Sequence, residues 1–168
     1  DLSGVAHLSA IKGRVPFLHF FDGFRTSHEI QKIECLEYDD LANLVDKNAL
    51  KEFRKNSLNP ERPVQRSTVQ NPDIFFQARE ASNKFYNEIP TIVENYMNEI
   101  NKLTGRNYRL FNYYGAPDAE RIIIAMGSVC GPIEETIDYL NNKGEKVGLV
   151  QVHLYRPFSV THFLKVVP

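Results

Sequence analysis

Residues 121–155 read RIIIAMGSVCGPIEETIDYLNNKGEKVGLVQVHLY, and this stretch decides the fold. Arg121 to Met126 is a short apolar run, the pattern of a strand buried on both faces. Gly127-Ser128 supplies a turn. Ile133, Ile137 and Leu140 then recur at helical spacing up to about Asn142, with Gly144 placed to follow the helix end. Lys146 to Tyr155 (KVGLVQVHLY) returns as a second strand. Strand, helix and strand within about 35 residues is the parallel crossover unit, expected to be right-handed. The predicted fold class is α/β, built from parallel-sheet βαβ units.

Working outward from that unit, Ser159 is predicted to cap one more helix towards Pro168. Upstream, Asn107 to Glu120 (NYRLFNYYGAPDAE) reads as a tyrosine-rich connector punctuated by Gly115 and Pro117, which places a domain boundary near 105–120. Before it, Phe85, Ile89, Val93, Tyr96, Ile100 and Leu103 form one stripe of a helix over 75–103. Pro90 is expected to kink or divide this helix, and Gly105 to end it. Between Asn56 and Asp73 the character changes. Pro60, Pro63 and Pro72 oppose regular helix and sheet pairing, so 56–73 is expected to be an extended loop over its own domain or a partner.

At the start of the chain, Leu2, Val5, Ala6 and Ile11 suit one face of a short helix, with Gly13 as its left-handed end. Val15 to Phe21 (VPFLHFF) reads as a buried strand of a parallel sheet. Asp22-Gly23 makes a turn, and Thr26 or Ser27 is placed to cap a helix beginning near His28. Two short helices follow at about 39–45 and 47–56, with Asp39 and Asp46 as caps.

Composition narrows the function classes. The 168 residues are 42% hydrophobic and 24% charged, values of a chain that buries a core rather than a disordered one. Twenty Lys and Arg against 21 Asp and Glu give a formal net charge of −1, without the basic excess of a dedicated nucleic-acid binder. No apolar run approaches the roughly 20 residues of a membrane span. The two cysteines, Cys35 and Cys130, have no metal-ligand or redox spacing and are expected as free thiols in a reducing cytosol. The chain opens on Asp1, and we expect a piece of a longer cytoplasmic protein.

Few motifs carry chemistry. Gly127-Ser128-Val129-Cys130-Gly131 follows a strand and opens a helix, where backbone N–H groups can hold an anion. It lacks both the three-glycine dinucleotide pattern and the P-loop lysine. The preferred reading is a tight turn at Gly127 with Ser128 as helix cap, and Cys130 as an inert, partly buried thiol despite the pKa-lowering helix start. His28-Glu29 begins like a zinc-protease helix, but Lys32 stands where the second histidine belongs. The five histidines form no metal spacing, and His19 and His153 are expected as hydrogen-bonded structural groups within strands. Asp22, Arg25, Ser27 and His28 make the densest polar cluster, at the C-terminal end of the strand expected over 15–21. Two readings stand level for these four: a carboxylate- or phosphate-binding or domain-contact loop, and a turn with a helix cap and surface ion pair. No nucleophile–base pair with an orienting third group can be assembled, so no catalytic, cofactor-binding or metal residue is assigned.

The residues Val15 to Glu29 (VPFLHFFDGFRTSHE) closely resemble a segment of the pyruvate:ferredoxin (flavodoxin) oxidoreductases. So do Asn59 to Glu80 (NPERPVQRSTVQNPDIFFQARE), and a third block running from Tyr114 to Arg121 through Met126-Gly127-Ser128 to Leu154–Phe158. The blocks follow the family's order and spacing over nearly all of the chain. Ser67 and Val69 stand where Gly and Ala are expected in the family.

The resemblance implies an enzyme that oxidatively decarboxylates pyruvate with CoA to acetyl-CoA and CO2, using thiamine diphosphate with Mg2+. Electrons would pass through 4Fe-4S clusters to ferredoxin or flavodoxin, in a parent that is a homodimer. It implies that 1–115 is the C-terminal part of a first, pyrimidine-binding-like domain and 116–168 the start of a transketolase C-terminal-like domain. The family's substrate and cofactor residues fall outside these segments, so none is carried over. By itself the chain is expected to be inactive and to bind no cofactor, its partners being the remaining domains of the parent. The rival readings are an interaction or ligand-binding α/β module without catalysis, and an oxidoreductase for another 2-oxoacid.

Overall fold

The computed structural model describes residues 1–64 and 69–168. In chain order it holds α1 (Leu2–Gly13), α2 (Arg25–His28), α3 (Tyr38–Leu44), α4 (Lys47–Lys55), α5 (Pro72–Thr104), β1 (Phe111–Gly115) and β2 (Arg121–Ala125). A 3-10 turn (Gly127–Val129), α6 (Cys130–Asn141), β3 (Val147–Val152) and α7 (Val160–Leu164) complete it.

The crossover unit is present as expected: β2 runs parallel to β3, Arg121 opposite Val147 and Ala125 opposite Gln151, with α6 between them in sequence. The sheet order is β1-β3-β2, and β1 pairs antiparallel with β3, Phe111 opposite Val152. Central β3 is buried on both faces, which explains its near-continuous apolar run. On one face Ile137 of α6 packs with Val147 and Leu149, flanked by Ile133 and Leu140. On the other, Val150 and Phe111 meet Val93 and Met97 of α5, with Val5 and Leu8 of α1 in the same cluster. Burying each of these large side chains is worth about 1.5–3 kcal/mol.

Helix α5 runs unbroken through Pro90. The proline removes one ladder bond, a cost outweighed by the burial of Ile89, Ile92 and Val93 around it. The expected stripe is buried from Ile89 to Ile100, whereas Leu103 is exposed in the last turn. Gly105, left-handed at φ 71°, closes the helix as expected, and Pro72 sits in its first turn. Asp46 caps α4 by accepting from the Asn48 and Ala49 N–H groups, and it also pairs with Lys12. Asp39 does not cap α3; it lies within the first turn, and Glu37 holds the cap position.

Other expectations are corrected. Val15–Phe21 is not a strand: no strand of the described residues pairs with it, so the arm has no regular structure and Leu18, Phe20 and Phe21 are exposed. An apolar run needs a neighbouring ladder as well as its own pattern to become a strand. His19 is therefore exposed on an irregular arm. The helix start expected near His28 is instead the end of the single turn α2, because the chain becomes extended at Glu29 and Ile30 is fully exposed. Arg14, at φ 58°, rather than Gly13, ends α1. Gly13 serves close packing instead: a Cβ there would lie 2.4 Å from Ile89 Cδ1.

The connector over 107–120 contains β1, since its aromatic residues suit a pleated, half-buried surface. Strand β2 is less buried than its run suggests: among the described residues it has a single strand neighbour, and Ile123 and Ile124 remain exposed. Within the proline-rich loop, Asn59 and Arg62 form an isolated bridge, and the part at 65–68 lies outside the described residues.

Candidate functional site

Parallel strands of an open α/β sheet place ligands beyond their C-terminal ends. Here the ends of β2 and β3 open into a cleft of about 860 Å³. Leu2 and Val5 of α1 and Val93 and Met97 of α5 supply an apolar wall, and Leu18 to Asp22 of the arm cover the opposite side.

The geometry turns on the β2–α6 connection. Gly127 has φ 81°, and a Cβ at this position would lie 2.6 Å from Asp22 Oδ2. The backbone N–H of Ser128 donates to Asp22 Oδ2 at 2.6 Å. The tight turn at Gly127 is present as the preferred reading had it, and the backbone N–H that could receive an anion there is taken by the chain's own carboxylate. Ser128, by its side chain and its backbone N–H, holds the Asp22 carboxyl below the usual aspartate range. Ser128 is not the helix cap: it lies inside the 3-10 turn, and Val129 takes the cap position of α6.

Cys130 follows directly and lines the same cleft. Burial, with the Glu134 and Asp22 carboxylates, pushes its thiol pKa up. Burial outweighs the lowering that a helix start alone would cause, in keeping with the inert, partly buried thiol expected from the sequence. His153 sits just beyond β3, its Nδ1 2.8 Å from the Arg109 carbonyl oxygen. A carbonyl only accepts, so Nδ1 carries the proton and Nε2 keeps its lone pair. Burial lowers the pKa of this imidazole. Arg156 lies at the rim, its guanidinium 5.5 Å from the Tyr155 ring centroid.

The four residues singled out in the sequence therefore separate. Asp22 reaches the cleft. Ser27 donates to the Phe24 carbonyl at 2.9 Å, and His28 Nδ1 bonds the same oxygen. Together they close a turn in which Phe24 has φ 54°. Arg25 is exposed at the start of α2, and among the described residues no carboxylate pairs with it. Sequence reading placed His153 as a hydrogen-bonded structural group, which its bond to Arg109 matches. It missed Arg156, whose signal was its place just after the end of a parallel strand.

A family model described as pyruvate flavodoxin/ferredoxin oxidoreductase, thiamine diphosphate-binding, matches residues 1–98, more than half of the chain. The chain belongs to the pyruvate flavodoxin/ferredoxin oxidoreductase family. A second model, pyruvate:ferredoxin oxidoreductase core domain II, matches residues 119–167. Among relatives in the family, the pyruvate-flavodoxin oxidoreductase of Enterobacter agglomerans is 68% identical over all 168 residues. The pyruvate:ferredoxin oxidoreductase of Moorella thermoacetica is 62% identical over the same span. The chain spans 14% of the length of each of these two relatives. A pyruvate dehydrogenase [NADP(+)] of Cryptosporidium parvum is 49% identical over 169 residues, which is 9% of that protein.

Thiamine diphosphate presents a diphosphate that is held through a divalent cation. Among the described residues no group of three His, Cys, Asp or Glu side chains is placed to hold a metal ion. The helix start able to receive phosphate is held by Asp22, whose negative charge opposes a second anion. The cleft of this family member therefore does not fit the cofactor's diphosphate. No helix among the described residues is long and apolar enough to cross a membrane.

Proposed function

We propose that this chain serves an enzyme converting pyruvate and CoA to acetyl-CoA and CO2, with the two electrons passed to ferredoxin or flavodoxin. The observation that carries this reading is identity of 68% and 62% along the whole chain to oxidoreductases named for pyruvate with flavodoxin or ferredoxin. Within that enzyme the chain is scaffold and wall. Residues 1–115 are the later part of a first, pyrimidine-binding-like domain, and 116–168 begin a transketolase C-terminal-like domain. Strand β1, which pairs with β3, lies at their junction. The exposed apolar side chains of the arm, with Leu18 85% and Phe24 81% exposed, suit contact with the remaining domains of the parent.

In this reading thiamine diphosphate, Mg2+ and 4Fe-4S clusters are bound by other segments of a cytoplasmic homodimer, and the isolated chain does not turn over. The loop from Asp22 through Arg25, Ser27 and His28 is its substrate-side or interdomain edge, Arg25 being the exposed charge-pairing group.

The test is pyruvate- and CoA-dependent reduction of a viologen dye by the natural full-length polypeptide, beside the 168-residue chain. Activity that needs added thiamine diphosphate in the first and is absent from the second is expected. A natural polypeptide that consumes no pyruvate overturns the reading. Turnover of another 2-oxoacid in place of pyruvate would reassign the substrate.

A further inference from the structure

Two charged stretches follow the arm and have opposite sign. Residues 29–40 carry five acidic side chains against Lys32 alone. Residues 47–62 carry five basic side chains against Glu52 and Glu61. In α4 the cations Lys47, Lys51, Arg54 and Lys55 recur at helical spacing, so they share one face, and all four are exposed. Glu29, Glu34, Glu37 and Asp39 are exposed as well.

The two stretches do not satisfy each other. Among the described residues the one ion pair within them is Lys55 with Glu52, 3.9 Å apart inside α4. Helix α4 packs on α1, whereas α3, which begins at Tyr38, packs on α5, so the fold anchors the two stretches on different helices. Large apolar side chains stand among the charges: Ile30 is fully exposed, Tyr38 89% and Phe53 64% exposed. Exposed aromatic and aliphatic groups set among charges are the composition of a recognition surface rather than of a purely solvated face.

A surface that carries both signs in separate stretches is complementary to itself. Across a two-fold axis the same patch on each copy meets in opposite sense, so residue i of one copy meets j of the other and j meets i. The acidic stretch of each copy then lies on the basic face of the other copy's α4. Both contacts form at once, and pairings that oppose like charges are disfavoured.

We infer that segment 29–40 and helix α4 form such an interface with a second copy of this chain, with Ile30, Tyr38 and Phe53 covered between the copies. The interface rests on the homodimer proposed above and gives it a surface distinct from the arm at 15–24.

The test is the oligomeric state of the natural full-length polypeptide, read by sedimentation velocity over a dilution series. Two charge-reversed variants are compared, Lys51→Glu with Arg54→Glu and Glu34→Lys with Glu37→Lys, all at exposed positions. Each variant alone sets like charge against like in both contacts, and its dimer is expected to weaken about tenfold at low salt. An equal mixture of the two variants, differently labelled, should recover a mixed dimer near wild-type strength, because each contact then joins opposite charges. Recovery on mixing also shows that both variants are folded. A dimer that neither variant weakens, or one that mixing does not restore, overturns the interface; the latter result would turn these charges towards another part of the same polypeptide. A monomeric wild type overturns the homodimer itself. Failure of the pyruvate reading leaves all of these outcomes as they are, since none is read from activity.

Discussion

The carboxylate of Asp22 accepts a hydrogen bond from the backbone N–H of Ser128, 106 positions further along the chain, at 2.6 Å. This contact ties an arm without regular structure to the start of the helix that joins the parallel strands. Removing the carboxylate should free the arm. In Asp22→Ala, amide hydrogen exchange is expected to quicken over 18–24 and 127–131 while β3 keeps its protection. The sign of the pH dependence follows from the depressed pKa. The contact contributes fully above the ordinary aspartate value near 3.8 and is lost as pH falls through the lower folded value. Asp22→Asn should therefore flatten the acid limb of the stability curve below about pH 4, and an unchanged acid limb would count against the contact.

Cys130 should be the slower of the two thiols. Cys35 is exposed, whereas Cys130 is half-buried and its pKa is pushed up by burial and by nearby Glu134 and Asp22. Because the thiolate is the nucleophile, iodoacetamide at neutral pH should alkylate Cys35 about tenfold faster. Peptide mass analysis over time reads the two rates separately.

Ser9 is fully buried in α1, and its hydroxyl has no hydrogen-bond partner among the described residues. A buried, unpaired hydroxyl costs about 1–3 kcal/mol. Ser9→Ala is therefore expected to leave stability unchanged or raise it by up to about 1 kcal/mol in urea unfolding. A clear loss would mean that the hydroxyl is held by an ordered water.

Gly148 lies opposite Gly115 in the β1–β3 ladder, beneath the ring of Tyr113. A Cβ there would come 2.2 Å from the Tyr113 hydroxyl and 2.7 Å from its Cζ. Gly148→Ala must displace a ring whose hydroxyl donates to the Ala116 carbonyl. Overpacking of this kind costs about 1–3 kcal/mol. Tyr113→Phe in the same background should not restore stability, whereas Tyr113→Ala, which vacates the space, should recover part of the loss relative to its own single variant.

The crossover unit and α5 were legible because their apolar spacings satisfy one another within a short stretch of chain. Ile133 and Ile137 point where a helix period puts them, and Val147 to Val150 need no information from elsewhere to read as a central strand. Strand β1 was hidden by Gly115 and Pro117, which read as connector punctuation although Phe111 and Tyr113 already alternate towards the core. The arm was misread for a different reason. Apolar content at Phe20 and Phe21 states a preference for burial but cannot supply the neighbouring strand that burial requires. The Asp22–Ser128 contact was half legible: each residue stood out locally, one as a turn acid and the other at a helix start. No periodic pattern links positions so distant, and their pairing depends on how the two units pack.

Among the described residues strands β1 and β2 do not pair with each other; each pairs with β3, whose last residue is Val152. During synthesis at about 5–20 residues per second, these two strands wait without their shared partner until β3 leaves the ribosome. Helices α1 and α5 can dock before that moment, since their contacts lie earlier in the chain. Pairing of these three strands thus waits for β3, and a translational pause placed before Val147 would lengthen the time during which Ile122 to Ile124 are open to wrong partners.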